Sequence, residues 1–157
     1  MRSEEVIYRE YLLKLKAKLI DKYNELGLRA SGKYEKELEE EIINNKLIMW
    51  GAFHSQFMES GRDKGKFPPR KAIEDWIEVK QGLPEVFREK KKQFAFLIAR
   101  KIAKQGIVVP NEFNAGEVVS SVVNSFLGDD LNEMSEELGI IWLRRIQSDV
   151  VQLLKVA

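Results

Sequence analysis

Cysteine is absent from all 157 residues. Disulfides, thiolate nucleophiles and thiolate metal ligands are thereby excluded together, which accords with a cytosolic origin. His54 is the one histidine, so a zinc site would need mostly carboxylate ligands, an unusual set. No apolar run approaches the roughly 18 residues that span a membrane, and no membrane partner is expected. The start, Met1-Arg2-Ser3-Glu4-Glu5, is acidic and lacks the apolar stretch and cleavage site of a secretory signal. An excess of one charge is missing too. Lys and Arg number 26, Asp and Glu 25, for a net +1, which removes the strongly basic global footprint of a dedicated nucleic-acid binder.

What is present suits one domain, 1–157, with a real core: 44% of the residues are hydrophobic. The balanced charge is unevenly placed. Glu35 to Glu41 is acidic, whereas Arg62 to Lys71 and Arg88 to Lys104 are basic. Copies packed side by side can use such patches to set register; a solvated surface carries them without function.

The expected class is α+β: a long N-terminal helix, a small antiparallel β-hairpin and several packed helices. Glu4 to Leu26 reads as a helix within the first unit, 1–27. Tyr8, Leu12, Leu15, Leu19, Tyr23 and Leu26 step by three and four and share one face. Val6, Leu13 and Ile20 step by seven and form a second stripe. Two stripes imply contacts on two sides, the protein's own core and a neighbour, or a deeply buried helix. Gly27 is a natural stop.

The unit 33–60 is expected to hold the hairpin and an aromatic segment. Lys33 to Ile43 alternates like a strand, although Tyr34, Leu38 and Ile42 also fit a helix face. Asn44-Asn45 between apolar runs decides for a tight turn, with Lys46 to Trp50 returning. Phe53 and Phe57 meet across one helical turn. Residues 61–69 are expected as an exposed loop, and 70–157 as mostly helical. Pro68-Pro69 opens a helix with Ile73, Trp76 and Ile77 on its buried face. Pro84 opens another, its face Phe87, Phe94, Leu97, Ile98 and Ile102, ended by Gly106. Asn114 with Glu117, and Asp130 with Glu133, resemble capping pairs that open the last two helices. Gly139 marks a potential break.

No chemistry stands out. His54 lies between aromatic residues, with no serine–acid arrangement, and reads as structural. Gly61-Arg62-Asp63-Lys64-Gly65-Lys66 lacks the Gly-Lys-Ser/Thr ending of a phosphate loop. Calcium-loop spacing is missing, and no carboxylate constellation supports a metal-dependent nuclease.

The middle of the chain resembles one family, the tail-completion or neck proteins that join head and tail in tailed bacteriophages. The matching residues run in order: Ala30-Ser31-Gly32 with Leu38; Phe53 and Phe57 before Glu59 and Gly61; Gly65, Pro68, Pro69, Ile73, Trp76, Ile77 and Gly82; then Leu97-Ile98-Ala99-Arg100-Lys101-Ile102 and Gly106. They cover roughly half of the chain, and from Asn114 onward it reads as more helical than that family's sheet-closing ending. The resemblance implies a non-enzymatic structural protein of the virion, assembled in the host cytoplasm without cofactors. Its implied partners are copies of itself in a twelvefold or sixfold ring, and the portal or adjacent neck and tail proteins. DNA would pass through the channel as a non-specific contact.

Candidate subunit or partner contacts are the anchors Tyr8, Leu13, Phe53, Phe57 and Phe67 and the loop cations Arg62, Lys64 and Lys66. The alternative is a small nucleic-acid-binding accessory protein using Arg62, Lys64, Lys66 and Lys90-Lys91-Lys92.

Overall fold

Helix α1, Glu4–Glu25, is the strut on which the other elements of this computed structural model, described over residues 2–156, are hung. Ser3 caps it by accepting a hydrogen bond from the Val6 N–H (3.3 Å). Glu4 and Glu5 in its first turn and Lys22 in its last complement the helix dipole. The expected stripe is buried at Tyr8, Leu12, Leu19 and Tyr23, widened by Ile7 and Tyr11. Of the second stripe, Val6 and Leu13 are exposed, while Ile20 packs inward.

The remaining elements follow in chain order: α2 (Lys33–Glu37), β1 (Glu39–Ile43), β2 (Lys46–Trp50), α3 (Ser55–Ser60), α4 (Arg70–Val79), α5 (Glu85–Glu89), α6 (Lys91–Gln105), α7 (Val118–Ser125), a π-helical turn (Phe126–Asp130) and α8 (Leu131–Val156). The fold is α+β, mostly helical, with one antiparallel pair of strands among the described residues.

The hairpin turns at Asn44-Asn45, both at positive φ (50° and 60°), as a tight turn requires. Its first strand is shorter than expected. Residues 33–37 form α2, which buries Tyr34 against Tyr23 (ring centroids 4.4 Å apart); here the Tyr34–Leu38 helical spacing wins over alternation. Ile42, Leu47 and Met49 face inward, onto two apolar clusters built around α1. A third cluster lies wholly within α4–α6, where Ile73, Ile77, Ala95 and Ala99 are buried beneath Leu83, Phe87, Phe94, Ile98 and Ile102.

Other expectations are corrected. Trp76 is 39% exposed, and Leu97 is exposed too: the close α4–α6 approach is made by Ala95 and Ala99, which admit only Ile73 and Ile77. Trp76→Ala is therefore expected to cost no more than about 2 kcal/mol, against about 3–5 for a buried tryptophan, by urea denaturation. The helix after Pro84 is two helices, broken at Lys90 (φ −112°, ψ 33°). Glu117, itself at positive φ, does not pair with Asn114 as a cap. Asp130 opens no helix either: α7, the π-helical turn and α8 follow one another directly, and α8 runs on through Gly139. Val118, Val122, Phe126, Asp130, Met134 and Leu138 are all buried, at strict four-residue intervals. Such a series drifts off a regular helix face, and the wider π turn brings it back.

Candidate interaction surfaces

Two carboxylates hold the α1–α8 body together. Glu59, on α3, accepts hydrogen bonds from the Val119 N–H (2.8 Å) and the Ser120 N–H (3.1 Å), capping α7 from across the fold. Burial pushes its carboxyl up, but these bonds and the Ser120 side chain outweigh that and hold it below the usual range. Asp130, 2% exposed, accepts from Lys14 (2.6 Å) and Lys18. Burial again opposes its ionised form, and the two lysines prevail. His54 lies 3.8 Å from Glu37 and edge-on to Tyr34, and burial lowers its pKa. Among the described residues no group of three or more His, Asp or Glu is placed to hold a metal ion, and no helix is long and apolar enough to cross a membrane.

A cleft of about 870 Å³ opens between the start of α1, the hairpin turn and Arg145 of α8. Its charged lining is largely internally paired: Arg145 with Glu4 at 2.9 Å, and Lys16 with Glu40 at 2.8 Å nearby. An apolar cavity of about 200 Å³ lies under the hairpin between Leu15, Leu19, Tyr34 and Val119.

The expected contact residues separate into three groups. Tyr8 is a correction: it is 8% exposed and sits in the core with Ile7, Tyr11 and Phe126. Leu13 and Phe53 are open to solvent, Phe53 at 81%, with its ring edge-on to the half-buried Phe57 (5.8 Å). The third group is the loop, which is not the free segment the glycines implied. The Arg62 N–H donates to the Ile107 carbonyl (2.8 Å), the Ile107 N–H donates back (2.7 Å), and the Gly65 N–H donates to Ala103 (2.9 Å). Arg62 is half-buried, and its guanidinium is turned onto the Lys66 carbonyl (2.9 Å). Lys64 and Lys66 stay exposed, and Phe67 rests on Phe96 of α6 at 5.9 Å.

Sequence reasoning missed the surface with the most exposed apolar residues. α8 runs antiparallel to α1, as a ladder of contacts shows: Asp130 to Lys18, Glu133 to Lys14 (3.0 Å), Glu137 to the Tyr11 hydroxyl (3.1 Å) and Trp142 to Glu4 (3.2 Å). α1 begins at Glu4, level with Trp142 and Arg145. Residues 146–156 therefore extend about 16 Å beyond it at 1.5 Å per residue. Ile146, Val150, Val151 and Leu154 are exposed on that overhang. The available signal was the run Ile140-Ile141-Trp142-Leu143, too apolar for a free helix.

Comparison with protein-family profiles, curated proteins and solved structures finds no match to this chain.

Proposed function

We propose that this protein is a structural subunit of a tailed-phage neck, assembling with copies of itself into a sixfold or twelvefold ring between portal and tail around the DNA channel. The motifs from Ala30 to Gly106 are the source of the phage assignment. The observation that carries an assembly role is the α8 overhang. A helical extension of this length is marginal alone in water, and an apolar stripe on it needs a partner surface. The overhang projects from a body rigidly braced by Asp130 and Glu59, as a docking arm must. Leu13 and Phe53 add smaller anchors elsewhere on the surface.

The test is sedimentation velocity over a range of concentrations, with negative-stain imaging. Wild-type protein is expected to form closed rings with an open centre. Ile146→Asp with Val150→Asp should keep the wild-type melting temperature, because both side chains are already exposed, and should abolish assembly. Rings unaffected by this variant would remove the overhang from the interface. The second reading, a nucleic-acid-binding accessory protein, is favoured by the exposed Lys64, Lys66 and Lys92. A monomer that binds duplex DNA with a steep salt dependence would establish it.

A further inference from the structure

Residues 62–107 carry thirteen Lys or Arg against six Asp or Glu, whereas the rest of the chain carries thirteen against nineteen. A segment of charge +7, with an apolar cluster of its own, is thus joined to a remainder of charge −6. Each part presents an exposed face that combines charge with large apolar side chains.

The basic face lies on α6. Lys92, Phe96, Arg100 and Lys104 recur every four residues and are exposed. The loop pinned at Ala103 runs alongside, setting Phe67 against Phe96 with both rings partly open to solvent. Neither Lys92, Arg100 nor Lys104 has an acidic partner among the described residues, although Lys91 and Arg88 nearby do. The acidic face is the outer side of the hairpin. There Glu39 stands opposite Trp50, Glu41 opposite Ile48 and Ile43 opposite Lys46. Glu39, Glu41, Ile43, Lys46 and Trp50 are exposed, two carboxylates against one lysine, and the indole N–H of Trp50 donates to Glu41 (2.8 Å).

We propose that these faces bind each other between copies, the α6 face of one subunit covering the hairpin face of the next. The inference rests on the ring reading and names a second contact between copies, beside the one made by the α8 overhang. Charge decides the pairing: each face would repel its own kind and attract the other. The two faces belong to different parts of the fold, and among the described residues no ion pair joins them within one subunit. Because two different patches meet, the contact is head-to-tail, which is the kind of interface that generates rings. Aromatic and aliphatic side chains at the centre, rimmed by charge, match the anatomy of protein interfaces. A nucleic-acid backbone would neutralise Lys92 and Arg100, but it would leave the outer hairpin face uncovered and would meet the −6 remainder.

The experiment uses two charge-reversed variants of the full chain, Lys92→Glu with Arg100→Glu, and Glu39→Lys with Glu41→Lys. All four side chains are exposed, so an unchanged melting temperature is the check on folding. Wild-type self-association, measured by sedimentation, is expected to weaken with salt, and each variant alone should associate about 100-fold or more weakly. Mixing the two variants should restore association, because each then meets a face of opposite sign. Rings that persist in both variants would overturn this interface and leave the ring reading standing. Salt-sensitive chains, restored on mixing but never closing, would support the interface and sink the ring. A wild type that stays monomeric to about 1 mM overturns both. If that monomer also binds a short mixed-sequence duplex, and loses it with Lys92→Glu/Arg100→Glu, the α6 face belongs to nucleic acid.

Discussion

Gly61→Ala and Gly106→Ala are each expected to destabilise the protein by more than about 4 kcal/mol, a large share of the roughly 5–15 kcal/mol of a typical domain. Both glycines end helices, α3 and α6, at nearly the same backbone conformation: φ 78°, ψ −157° and φ 73°, ψ −164°. That region is essentially restricted to glycine. The second cost is steric. A Cβ on Gly61 would be driven onto the carbonyl oxygen of Ile107, and one on Gly106 onto that of Arg62. Those oxygens accept the two hydrogen bonds that join Arg62 and Ile107, so neither can retreat without breaking the seam between the α4–α6 unit and the rest. Gly27→Ala is the control. Gly27 also has positive φ, but nothing lies within 4 Å of its added Cβ, and the expected cost is about 1–2 kcal/mol from backbone conformation alone. Urea denaturation of the three variants separates the terms. Equal losses in all three would show that the seam contributes nothing beyond backbone conformation.

The same seam shows what could be read from the chain and what could not. Local signals carried well: Gly27 follows the end of α1, Asn44-Asn45 turns the hairpin, Pro68-Pro69 precedes α4, and Gly106 stops α6. Each depends on one residue's own φ preference or hydrogen-bonding side chain. Signals that depend on a distant partner did not carry. Gly61 and Gly106 read as a flexible loop and a helix stop, because their shared role appears only when Arg62 meets Ile107. Asn114-Glu117 and Asp130-Glu133 looked like caps by spacing. The actual cap on α7 is Glu59, some sixty positions earlier, and Asp130 is engaged by lysines on α1. Trp76 was assigned to the core by size and period, but the alanines that bring α6 against α4 leave room only for Ile73 and Ile77. Of the candidate contacts, Leu13, Phe53, Lys64, Lys66 and Phe67 lie on the surface, while Tyr8 is core and Arg62 bonds within its own loop. The α8 overhang was hidden because a helix face says nothing about where its packing partner begins.

Asp130→Asn is expected to cost about 3 kcal/mol at neutral pH, near the lower end for breaking a buried ion pair. The residue is nearly isosteric, so the loss reports charge rather than a cavity. It stays near the lower end because the Lys14 and Lys18 side chains remain 43% and 36% exposed and can rehydrate. The pH dependence follows from the depressed carboxyls. In the native state Asp130 holds its proton less tightly than the ordinary value of 3.8, and Glu59 less tightly than 4.5. Over that range the unfolded chain binds more protons, so stability rises with pH. The contribution is complete above about pH 5, begins to fall below 4.5 for Glu59 and below 3.8 for Asp130, and is lost as pH passes through their lower native-state values. Denaturant midpoints measured from pH 7 down to pH 3 should therefore decline in the wild type, mostly below pH 4.5. Asp130→Asn should start lower and fall less steeply at the acid end, since the Asp130 part is already gone. The gap between the two curves should narrow as pH falls below 3.8. Parallel curves would assign the acid loss to other carboxylates and deny Asp130 its place as the charge that fixes α8, and with it the overhang, against α1.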